Sequence, residues 1–240
     1  MLIKMAKNKH RRQTELCVST LKDLFLQTIL EDKKYSTFLK SVNFAKQNAV
    51  KIDNETLLEY FVDDLIHRKY AEFINILEEI IIHDPIKQIK KIMMRTVYQL
   101  LVTKSEREEI LLKILVNKLG DPEVEVANFA ITLLKELQTA HMPMSSVITK
   151  NIEVFLQTPK LNSNGLYYSV VYLSQMELVN SKDFIESELK LLIDLFNKFQ
   201  TDEDEKYFKH LTLIVKTINK ICLYASDKVN YYFINILIIV

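Results

Sequence analysis

Lys87, Lys91 and Arg95 recur at i, i+4 and i+8, so any helix that carries them presents them on one face, with Lys90 beside them. Bases in such a row can neutralise phosphates of a nucleic acid or meet an acidic protein surface. A second basic concentration lies at the N-terminus, where Lys7, Lys9, Arg11 and Arg12 follow one another with no acid before Glu15. The plainer reading of the row is a solvated face opposite an apolar stripe, and of the arm a solubilising chain end.

Nothing else in the sequence has the spacing of a reaction centre. The five histidines, His10, His67, His83, His141 and His210, do not pair with Cys, Asp or Glu at zinc-ligand spacing, and they read as solvent-facing or capping side chains. No nucleophile-elbow, phosphate-loop or dinucleotide pattern occurs, and 2 glycines could hardly build one. Paired acids such as Glu78-Glu79 and Glu108-Glu109 have Lys or Arg nearby and read as solvated faces. The expectation is a non-catalytic chain with no metal, no cofactor and no small-molecule substrate. A net charge of +1 excludes a globally basic nucleic-acid binder but leaves room for a local basic patch.

The elements that must carry these residues are helices. Hydrophobic residues make up 48% of the chain, enough for a substantial core, while only 2 Gly and 4 Pro leave little material for tight turns. Two stretches open alike. His83-Asp84-Pro85 precedes IKQIKKIMMRTVYQLL, and Gly120-Asp121-Pro122 precedes EVEVANFAITLLKEL, an offset of 121 − 84 = 37 residues. Asp suits an N-cap and Pro the first helical position, so both phrases predict helix starts. Ser105 with Glu108 has the form of a capping box, and Gly120 stands where a helix-ending C′ glycine would.

Helical periodicity predicts further helices over 13–30, 54–66, 69–82, 144–156, 166–178, 184–199 and 207–224, with 36–51 ambiguous. Thr158 to Gly165 reads as the clearest loop, and Thr201 to Glu205 as an acidic link. Tyr168 and Tyr172, at i and i+4, read as core. Cys17 and Cys222 sit in apolar helical patterns and read as reduced core residues of a cytosolic or nuclear protein. The apolar tail, Tyr231 to Val240, falls short of the ~20 residues a membrane span needs. The fold class expected is all-α, a HEAT/armadillo-like α-solenoid of antiparallel helix pairs. Residues 1–12 form its basic N-terminal arm and 13–240 a continuous helical-repeat domain. Such solenoids generally present surfaces to partners.

The run Leu115 to Asp121, LVNKLGD, followed by Pro122-Glu123 and VEVANFAITLL, resembles the CCAAT-binding-factor family of nucleolar complex proteins. Other segments agree in order: the stretch from Lys7 to Phe38, Tyr70 to Pro85, Leu166 to Val170 with Leu173 to Met176, and Asn219 to Ala225. The resemblance covers roughly residues 7–225. Ser174 stands where the family has Asn, and Cys222-Leu223 where it has Phe-Pro. The family's CCAAT-binding-factor domain would begin at about 160–240. Family chains continue past this point, which implies a fragment or a short form. The resemblance implies a nucleolar or nuclear scaffold in assembly of the large (60S) ribosomal subunit. Its implied partners are a second nucleolar-complex subunit, other large-subunit assembly factors and pre-ribosomal RNA, with no membrane. The alternative is a helical-repeat adaptor in transcription or nuclear transport.

Overall fold

The computed structural model describes residues 1–7, 10–30, 37–48, 53–159, 161–179, 181–200 and 208–224. Lys9, the acidic link 201–205 and the apolar tail 231–240 lie outside the described residues. Every described element is a helix: α1 Leu2–Ala6, α2 Arg11–Leu24, α3 Phe38–Gln47, α4 Asn54–His83, α5 Lys87–Thr103, α6 Glu108–Asn117, α7 Val124–Ala140, α8 Met144–Leu156, α9 Ser163–Gln175, α10 Lys182–Gln200 and α11 Phe208–Tyr224. The chain forms two compact units, Met1–Ile114 and Leu115–Val240.

In the first unit α4 and α5 pack together, and α2 lies against α5. The core stripe of α4 runs through Phe73, Ile74, Leu77 and Ile81, and that of α5 through Met93, Met94, Val97, Leu100 and Leu101. Side chains this deeply buried each contribute about 1.5–3 kcal/mol. A π-helical turn, Phe25–Ile29, continues α2. There Phe25 stacks on Phe73 with centroids 5.5 Å apart and meets Tyr70 at 5.2 Å.

Two separate helices were predicted over 54–66 and 69–82; the structure joins them into the 30-residue α4. No Gly or Pro interrupts the junction, and Asp64 pairs with Arg68 one turn later across it. Residues 1–6, part of the predicted basic arm, include the short helix α1, whose Ala6 is buried. The boundary drawn after Arg12 falls inside α2.

The repeated Asp-Pro phrase opens both helices, but not as an N-cap followed by a first helical Pro. Helix α5 begins at Lys87 with Ile86 as N-cap, and α7 begins at Val124 with Glu123 as N-cap. Asp84 Oδ1 accepts the Ile86 N–H at 2.8 Å, and Asp121 Oδ1 accepts the Glu123 N–H at 3.0 Å. The same Asx turn therefore occurs twice, and in both copies the helix begins two residues after the Pro. The predicted capping box does not form either. Arg107, in the left-handed region at φ 59°, supplies the carbonyl that accepts from Ile110 and Leu111, leaving Ser105 upstream of the cap.

In the second unit α7, α8 and α9 pack on one another, and α11 contacts both α9 and α10. Tyr168 and Tyr172 are buried, as their spacing predicts. Gly120 closes a 3₁₀ turn, Lys118–Gly120, without positive φ, so it is not a left-handed C′ glycine. The predicted loop is also shorter. Asn162 caps α9 by accepting the Gly165 N–H at 2.8 Å, which puts Gly165 inside the helix. Gln138, wholly buried, donates to the Glu177 carbonyl at 2.6 Å and accepts the Glu177 N–H at 3.1 Å, tying α7 to the chain beyond α9.

Candidate functional site

The basic residues sort by depth once α5 is folded. Its buried positions include Lys90, Met93, Met94, Val97, Leu100 and Leu101, a stripe at i, i+3, i+4, i+7, i+10 and i+11. Lys90 occupies the first place of that stripe and is only 8% exposed, so it faces the core side and not an open ridge. Lys87 is exposed, while Lys91 and Arg95 are half-buried. The Arg95 guanidinium lies 5.5 Å from the centroid of the Tyr98 ring, a cation–π distance. All four bases take part in interactions within the fold.

The arm comes to the start of α5. Arg11 Nε donates to Asp84 Oδ2 at 3.3 Å, so the aspartate that turns the chain into α5 also holds the first residue of α2. Lys7 Nζ lies 3.8 Å from Glu72 of α4. Both basic side chains remain half exposed, and such pairs contribute little to stability, about 0–1 kcal/mol. Lys7, Arg11, Glu79, His83, Asp84 and Ile89 border an open groove of about 730 Å³. Arg12 is exposed beside it in sequence, and Lys9 is outside the described residues. Lys7 and Arg11 thus share one groove with the chain entering α5, while Lys90 is turned away from the surface. Its heptad-like register with Met94, Val97 and Leu101 was the sequence signal for that placement.

Two of the five histidines, His67 and His210, are buried, where solvent-facing or capping side chains were expected. His67 Nδ1 stands 3.4 Å from Glu106 Oε1, and His210 meets the Tyr167 ring edge-on at 5.4 Å. Among the described residues, a buried acid without the hydrogen-bond partner usual in an apolar environment stands in the second unit. Glu188 of α10 is fully buried with neither carboxylate oxygen hydrogen-bonded among the described residues. Burial raises its pKa to about 8, with Lys220 acting the other way. Lys220 itself donates to the carbonyls of Ser174 and Met176 at 3.0 and 3.3 Å, where α9 ends. Glu188 falls on the stripe of Ile185, Leu189 and Leu192, a spacing that marked it as inward. Among the described residues no group of three or more His, Cys, Asp or Glu is placed to hold a metal ion, and no helix is long and apolar enough to cross a membrane.

No family model matches the chain. Individual relatives do. An uncharacterised protein of Schizosaccharomyces pombe is 30% identical over 200 residues, 83% of this chain and 22% of that protein. CCAAT/enhancer-binding protein zeta of Homo sapiens is 28% identical over 238 residues, 95% of this chain and 22% of its own length. A ribosome biogenesis protein of Chaetomium thermophilum is 29% identical over 148 residues, 61% of this chain and 14% of its own. The chain therefore spans about a fifth of the length of the first relatives it matches. The human match takes in LVNKLGD and both Asx turns within its 95% coverage, in a chain whose described elements are all helices. The chain belongs to the CCAAT-binding-factor family of nucleolar ribosome-biogenesis proteins.

Proposed function

We propose that the chain is a non-catalytic scaffold in nucleolar assembly of the large ribosomal subunit. The observation that carries this reading is its kinship, along most of its length, with relatives that include a named ribosome biogenesis protein. In this reading helix pairs of the HEAT or armadillo kind stack within each unit, and residues 160–240 begin the family's CCAAT-binding-factor domain. The chain holds a second nucleolar-complex subunit and other large-subunit assembly factors and touches pre-ribosomal RNA. The RNA contacts are the exposed or half-exposed bases Lys7, Arg11, Arg12, Lys87, Lys91 and Arg95, with Lys9 of the same arm. Lys90 supports α5 from beneath. Phosphates would compete with Asp84 and Glu72 for Arg11 and Lys7, an exchange open to half-exposed side chains.

Affinity purification of the tagged chain, read for RNA and protein together, tests the scaffold role. Precursor rRNA with large-subunit assembly factors supports it. The name of the human relative favours a rival, an adaptor in transcription or nuclear transport, for which promoter DNA or transport receptors would co-purify instead. Lys87→Glu/Lys91→Glu/Arg95→Glu tests the contacts: RNA association should weaken and become less salt-dependent, by about one unit of log–log slope per lost phosphate contact. Unchanged association and slope would remove these bases from the interface.

A further inference from the structure

Helix α4 is 30 residues long, about 45 Å, yet its buried positions begin only at Asp64. Ahead of and around that point Leu57, Leu58, Phe61, Val62 and Leu65 are 39–61% exposed. They fall in two rows, at i, i+4, i+8 and at i+1, i+5, and make an apolar stripe roughly 140° wide. Scattered exposed apolar residues need no explanation, but a contiguous stripe on one helix marks an interaction surface.

One border of the stripe is acidic. Glu55, Glu59 and Asp63 recur at i, i+4 and i+8 beside the Leu58–Val62 row. All three are exposed, and none has a partner among the described residues. On the other border the nearest base, Arg68, is engaged by Asp64. The stripe therefore offers apolar grip along its centre and, along one side, negative charge that no described residue pairs.

We propose that this face of α4 docks an amphipathic helix of a partner protein whose apolar stripe is bordered by Lys or Arg. Rows at i, i+4 and i+8 are the ridges that a second helix packs between. The acidic row selects a basic border on that helix and fixes its register. It also repels phosphates, so this is not an RNA surface. A second copy would bring the same acid-edged stripe against its like. The proposal rests on the scaffold reading in taking the ligand to be a protein. Binding to a defined peptide is read without ribosomal precursors, so either can fail alone.

The full chain is titrated, by fluorescence anisotropy, with a labelled leucine–lysine amphipathic peptide and with its leucine–glutamate counterpart. The lysine peptide should bind about ten-fold or more tightly than the glutamate peptide, and more weakly as salt rises. Leu58→Gln/Leu65→Gln, which spares Phe61 and its edge contact with Phe38, should weaken binding about ten-fold with helicity and unfolding midpoint unchanged. Glu55→Lys/Glu59→Lys/Asp63→Lys should invert the preference between the two peptides. Equal binding of both peptides, or an unaltered preference after charge reversal, would overturn the proposal. So would a dimer of the chain that Leu58→Gln/Leu65→Gln dissociates, because it would show a second copy to be the occupant.

Discussion

Gly120 and Gly165 face each other at a single junction: a Cβ placed on Gly120 would lie 3.7 Å from the Gly165 Cα. Asn162 stitches the two together, donating to the Gly120 carbonyl at 2.7 Å and accepting the Gly165 N–H at 2.8 Å. These are the only 2 glycines in the chain, and neither has positive φ, so their use here is close approach and not backbone freedom.

That geometry separates the two positions. A Cβ on Gly165 would stand 2.9 Å from both Asn162 Oδ1 and Leu161 Cδ1, whereas on Gly120 its nearest contacts are 3.3 Å away. Gly165→Ala gains up to ~1 kcal/mol in helix propensity but meets a clash of about 1–3 kcal/mol and loses the cap when Asn162 moves. It should destabilise the second unit, and Gly120→Ala should do so less. Urea unfolding of the two variants checks the order; a more stable Gly165→Ala would show that the junction relaxes freely.

Asp84 and Asp121 make the same Asx turn but should not cost the same to remove. Asp121 also holds Lys118 at 3.1 Å, with side chains only 1% and 11% exposed, while the partner of Asp84 is the half-exposed Arg11. Asp121→Ala leaves a buried ammonium without its carboxylate, about 3–5 kcal/mol. Asp84→Ala loses a turn bond and a weak surface pair, about 1 kcal/mol. Each variant is read on the unfolding transition of its own unit, and equal losses would refute the distinction.

Glu188 should make stability depend on pH. Its pKa of about 8 in the folded chain lies above the ordinary carboxyl value of 4.5, so the native state holds a proton that the unfolded chain releases. The stabilising contribution is complete below pH 4.5 and is lost progressively as pH rises to about 8, at up to ~1.4 kcal/mol per pH unit. Glu188→Gln, a neutral isostere, should flatten that slope and leave the chain more stable than wild type at pH 8.5. Parallel denaturation profiles from pH 5 to 8.5 for the two proteins would sink the assignment.

Gln138 is the buried clasp of the second unit. Gln138→Leu keeps the volume but strands the Glu177 N–H and carbonyl that it now satisfies, at about 2–4 kcal/mol. Hydrogen exchange at the Glu177 amide should accelerate in step. Slow exchange there in the variant would mean that another acceptor takes over.

Much of this protein could be read without coordinates because its local rules agree. Apolar periodicity predicted most of the helices from α2 onward, though 36–51, which holds α3, was ambiguous; the near absence of Gly and Pro argued against tight turns, and the Asp-Pro phrase marked two helix starts at an interval of 37 residues. LVNKLGD carried the family. Tertiary structure decided what spacing cannot express. Whether Lys90 stands on a ridge or in a core depends on which side of α5 meets α4. Whether 54–83 is one helix or two depends on packing across 64–70, since no breaker decides it locally. A glycine's use depends on what approaches it, and for Gly120 that is Asn162, 42 residues away. Glu188 shares the spacing of Ile185, Leu189 and Leu192, but that its carboxyl is removed from water is decided only by what packs over that stripe.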